Sequence, residues 1–88
     1  GYDFRIFLIN YTNLPPVLFA EIKNGHPRVR ITGQRFRHYV LEESTDPSSP
    51  ANWTFKQNVV LPASAEFAIA LPAADVGNAR FYRAKVMP

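Results

Sequence analysis

Cysteine is missing from this chain altogether, which excludes disulfide staples and thiolate-bound zinc. Histidine occurs only as His26 and His38, and neither has an Asp, Glu or His at ligand spacing, so neither a metal centre nor an acid–base pair is expected. No apolar run approaches the roughly 20 residues that cross a bilayer, since a run such as residues 6–9 is far too short. No secretory leader pattern is visible, and a start at Gly1 is expected of a processed or excised N-terminus. No segment keeps a 3.6-residue period for three turns while avoiding proline, so a helical fold is excluded too.

What remains is a chain of 88 residues, enough for one domain, with 47% hydrophobic and 14% aromatic residues. That composition supports a packed core over disorder. At this size about 60–65% of the unfolded surface is buried, so the core is thin.

Period-two alternation organises nearly all of it. Residues 2–12 form the most strand-like segment: Tyr2, Phe4, Ile6 and Leu8 share one face, while Arg5, Phe7, Ile9 and Tyr11 share the other. Both faces are apolar in the middle and want cover on both sides. Asn13-Leu14-Pro15-Pro16 ends the segment, since proline donates nothing to a ladder. Residues 17–23 make a second strand, closed by the turn pair Asn24-Gly25. Residues 27–32 make a third, with Val29 and Ile31 inward and Arg28 and Arg30 on the wet face. Further strands are expected at 36–44, with Tyr39 and Leu41 inward, and at 53–61, 66–71 and 79–86. Loops rich in Pro and Ser separate them, with one helical turn expected near Pro72. About seven strands with turns every 8–12 residues predict an all-β, antiparallel immunoglobulin-like or fibronectin-III-like β-sandwich. Its body would span residues 17–88. Residues 1–16 would supply either its own first strand or a strand donated to another copy.

The blocks Tyr39-Val40-Leu41-Glu42-Glu43-Ser44-Thr45-Asp46, Asn52-Trp53-Thr54, Phe67-Ala68-Ile69 and Ala79-Arg80-Phe81-Tyr82-Arg83 recur in that order. With Gly33 ahead of them, they resemble small sandwich repeats of secreted and cell-surface bacterial proteins. Those repeats carry G-x-x-Y-x-L-E-x-S-T-D, a loop, N-W-T, an F-x-I strand and A-R-F-Y-R. The resemblance covers roughly two thirds of the chain, from about Arg28 to Val86. It implies a fibronectin-III-like fold, Trp53 in the core, and a structural or adhesive role outside the cell. The loop between Asp46 and Asn52 departs from it in being longer and richer in Pro and Ser, and residues 2–12 have no counterpart.

The net charge of +3 is modest, but Lys23, Arg28, Arg30, Arg35 and Arg37 lie within 15 positions, alongside both histidines. With Tyr39 and Phe36 interleaved, Arg28, Arg30, Arg35 and Arg37 are a candidate patch for an anionic ligand such as single-stranded nucleic acid. Nucleic acid is the disfavoured partner, because +3 falls short of a strongly cationic surface. Catalysis is not expected. Ser44, Ser48, Ser49 and Ser64 lack an elbow or a base, and Glu42 and Glu43 aim at opposite faces of a strand. No cofactor is expected. Asn10-Tyr11-Thr12 and Asn52-Trp53-Thr54 fit the N-glycosylation triplet, where about half a triplet would arise by chance from this composition. Exposed aromatics such as Tyr11 or Phe81 are candidates for sugar contact.

A long, doubly apolar strand near a Pro-Pro break is hazardous as a free edge. Phe4, Ile6, Leu8 and Ile9 are therefore candidates for subunit contact, joining copies head to tail into a filament by strand addition. The overall expectation is a non-catalytic, extracellular structural or adhesive module. Its partners would be itself or neighbouring domains of a surface protein. The rivals are a small basic nucleic-acid binder and a carbohydrate-binding module.

Overall fold

The computed structural model describes residues 5–10, 14–49, 52–71 and 79–87. Seven strands run in chain order: β1 (Ile6–Leu8), β2 (Val17–Lys23), β3 (His26–Thr32), β4 (His38–Ser44), β5 (Thr54–Val60), β6 (Glu66–Ala70) and β7 (Arg80–Val86). They form two sheets, one ordered β1-β7-β4-β5 and the other β2-β3-β6. Among the described residues there is no α-helix, and no helix is long and apolar enough to cross a membrane. The helical turn expected near Pro72 lies outside the described residues.

Alternation places the core between the sheets. Leu18, Val29, Ile31 and Ile69 come from the three-stranded sheet, and Tyr39, Leu41, Val59 and Tyr82 from the four-stranded one. The β2–β3 hairpin closes through Asn24 at φ 54° and Gly25 at φ 78°. Two successive positive φ values match the right-handed twist of the strands, which is why Asn-Gly serves there.

Four expectations need correction. The fold is not purely antiparallel, because β1 pairs parallel with β7, Ile6 opposite Arg80 and Leu8 opposite Tyr82. Within the described part of residues 2–12, only Ile6–Leu8 is strand. Ile6 and Leu8 pack against the core cluster, so this stretch joins the same sandwich as the body. Phe36 is not in a strand. It sits in the turn before β4 with φ 66°, a left-handed conformation costly for a bulky side chain. At Gly33 an added Cβ would lie 2.6 Å from the Tyr39 hydroxyl, so only glycine lets that ring pass.

Trp53 is the fourth. It is half-buried on the outer face of the four-stranded sheet, not in the core. The cause is a bulge. β4 pairs Leu41 with Gln57 but Glu42 with Phe55, leaving Lys56 as an extra residue. One inserted residue reverses the facing of everything before it, so Val59 points inward while Phe55 and Trp53 point out.

Candidate functional site

Several polar and aromatic side chains collect around Glu42. This residue lies on the outer face of β4, between Arg83 of β7 and Phe55 of β5. Arg83 donates from Nε to Glu42 Oε1 at 2.9 Å, and Lys85 Nζ approaches Oε2 at 3.3 Å. The Arg83 guanidinium also lies over the Trp53 ring, 4.2 Å from its centroid, a cation–π contact that holds the indole against the sheet. Beyond it Phe7 of β1 stacks on Phe81 of β7 at 5.0 Å. Ser44 Oγ accepts from the Asp46 amide at 2.9 Å, and Asp46 Oδ1 takes the Ser48 hydroxyl at 2.6 Å. These bonds shape the loop that caps this face.

Partial desolvation pushes the Glu42 carboxyl upward, but the hydrogen bonds and charges of Arg83 and Lys85 outweigh it, and the net position is below the ordinary glutamate value. A group lowered in the folded state contributes stability above its unfolded pKa, and the contribution disappears as pH falls through the folded one. Glu42→Gln should therefore flatten part of the loss of stability below about pH 4.5. Urea melts of both proteins across the acid range check this, and parallel acid slopes would refute it.

The structure separates the anionic-ligand patch. Arg28 and Arg30 lie on the outer face of the three-stranded sheet, where Arg28 pairs with Glu21 and Arg30 with Glu66 at 3.1 Å and Glu21 at 3.8 Å. Arg30 also covers the Phe19 ring at 4.7 Å. Arg35 and Arg37 flank Phe36 in the turn before β4. Tyr39 is buried at 1% exposure and offers no stacking face. His38 shares a hydrogen bond with Asn58, and His26 is exposed in the hairpin.

Of the subunit-contact candidates, Ile6 and Leu8 face the core, Ile9 donates its backbone amide to the Tyr82 carbonyl at 3.0 Å, and Phe4 lies outside the described residues. Asn10 imitates a strand backbone: its Nδ2 donates to the Leu18 carbonyl at 3.1 Å and its Oδ1 accepts from the Leu18 amide at 2.9 Å. The nitrogen a glycan would need is thus engaged in tying β1 to β2. Asn52 is exposed beside a polar hollow of about 200 Å³ shared with Glu43, Ser44 and Arg80. Tyr11 lies outside the described residues, and Phe81 is half-buried beneath Phe7. Among the described residues no three of His, Cys, Asp or Glu are placed to hold a metal.

No family of known proteins, no curated protein and no solved structure matches the chain. The bonds around Glu42 stand on their own geometry. Glu42 and Arg83 hold strands together, and Ser44 and Asp46 hold a loop.

Proposed function

We propose that this chain is a non-catalytic structural or adhesive module of immunoglobulin-like or fibronectin-III-like kind, working outside the cell and carrying load in series with its neighbours. The observation that carries this is the parallel pairing of β1 with β7. Parallel neighbours run the same way, so the chain enters β1 at one pole of the sandwich and leaves β7 at the other. Tension along the chain then slides the two strands past each other and loads their hydrogen bonds together. The bonds from the Arg80 amide to the Arg5 carbonyl at 2.9 Å and from the Ile9 amide to the Tyr82 carbonyl at 3.0 Å extend that contact beyond the three paired residues. The motif residues support the same view, since Tyr39, Leu41 and Tyr82 fill the core while Glu42, Trp53 and Arg83 brace the outer face. The extracellular setting follows from the resemblance of that motif to surface-protein repeats.

A second reading is the strand-donated filament. It is favoured by β1 being only three residues long, joined through Pro15-Pro16, and inserting Ile6 and Leu8 as separable apolar pegs. Light scattering and thermal melting of the chain with and without residues 1–12 separate the two. Closure within one chain predicts a monomer whose melting temperature falls on truncation. Filaments formed by the intact chain and lost on truncation would replace it with donation.

A further inference from the structure

We propose that the Phe36 turn is a docking tip for an acidic segment of a partner protein, one presenting a carboxylate beside an apolar side chain. Phe36 stands 65% exposed at φ 66°, where glycine would be free of strain. The turn is held in place by the Phe36 amide donating to the Leu61 carbonyl at 2.7 Å and the Leu61 amide to the Arg37 carbonyl at 3.1 Å. A bulky aromatic kept in a left-handed conformation and aimed at solvent costs stability without adding to the core. Such outliers concentrate where a side chain must be presented.

Charge points the same way. Arg28, Arg30, Lys56, Arg83 and Lys85 each have a carboxylate within 4 Å, whereas Arg35 and Arg37, like Arg5 and Lys23 elsewhere, have none among the described residues. Arg37 reaches only the Gln34 side chain, at 3.4 Å, and Arg35 lies 5.8 Å from the Phe36 centroid. Beside the tip, a groove of about 330 Å³ runs between Leu14, Pro15, Arg37 and Val86 over the edge of Tyr39. Leu14 is 71% exposed there, and Met87 follows Val86 at the same end. An exposed Phe and two Arg beside a groove lined by Leu14, Pro15, Tyr39 and Val86 match the aromatic and Arg enrichment of a protein-interface core. Two unpaired cations fall short of the about four to eight that hold a protein to an anionic membrane, and of the about six to ten phosphate contacts of a nucleic-acid site.

The test uses a random glutamate–tyrosine copolymer as probe, with polyglutamate, phosphatidylserine vesicles and a single-stranded oligonucleotide as comparators at low salt. The copolymer should bind and polyglutamate should bind at least tenfold more weakly. Substituting both Arg35→Ser and Arg37→Ser should weaken copolymer binding at least tenfold. Phe36→Gly should do the same while raising the melting temperature, since it relieves the backbone. That opposition of affinity and stability is not expected of a residue serving the fold alone. Failure of the copolymer to bind, binding undiminished in either variant, or tighter binding to vesicles or oligonucleotide would overturn the proposal.

Discussion

Leu41→Ala should remove about 2–5 kcal/mol of unfolding free energy, the range for truncating a leucine in a core that cannot collapse around the gap. Leu41 is 0% exposed at the centre of β4, with Ala84 of β7 on one side and Gln57 of β5 on the other. Neither neighbour can fill the space: alanine is too short, and glutamine would bring an amide into an apolar pocket. Domains of this size hold only about 5–10 kcal/mol, so one such cavity should cost roughly 10 °C or more of melting temperature. Phe55→Ala, at 62% exposure on the outer face, is the control and should change stability by less than about 0.5 kcal/mol. Urea melts of both variants check the pair. Equal effects would mean that the two sheets do not enclose the core described.

Gly33→Ala should cost about 2–4 kcal/mol, although it adds a single methyl group at the surface end of a strand. The new Cβ would stand 2.6 Å from the Tyr39 hydroxyl oxygen and 2.7 Å from Cζ. Tyr39 cannot retreat, because its ring is 1% exposed and packed into the core cluster, and its hydroxyl accepts the Gln34 amide at 2.9 Å. The substitution thus overpacks the core and breaks a part-buried hydrogen bond together. Tyr39→Phe alone should cost about 1 kcal/mol. In that background Gly33→Ala should cost less than in the wild type, because the nearest clashing atom is gone. A double-mutant cycle measures the difference, and strict additivity would show that glycine and ring do not meet.

How much of this could be read beforehand divides by physical cause. Period-two alternation placed β2 to β7 to within about two residues, and Asn24-Gly25 announced its hairpin, because facing and turn dihedrals are local properties. Tyr39 and Leu41 were legible as core for the same reason. Strand direction is not local. Nothing in Ile6-Phe7-Leu8 says whether its partner runs parallel or antiparallel, so the β1–β7 pairing, on which the proposed load-bearing role rests, was invisible. Trp53, placed in the core by the resemblance, lies on the outer face because the bulge at Lys56 shifts the facing of β5 by one count. Arginines adjacent in sequence became separate in space because β3 turns Arg28 and Arg30 onto one sheet's outer face while Arg35 and Arg37 stay in the turn beyond it. The strained tip at Phe36 carried no sequence signal, since a phenylalanine is the last residue to suggest a left-handed turn.

Pulling a single molecule between handles at Arg5 and Met87, and comparing it with handles at Arg5 and Arg80, tests load bearing most directly. The first geometry shears β1 along β7; the second peels the same strands apart from one end, where the Arg80 amide bonds the Arg5 carbonyl. Forced rupture follows the barrier that the geometry imposes. The shear geometry should rupture at a severalfold higher force, and Ile6→Asp should abolish the advantage by removing the apolar peg that locks β1 in register. Equal rupture forces in the two geometries would contradict a load-bearing role for this pair of strands.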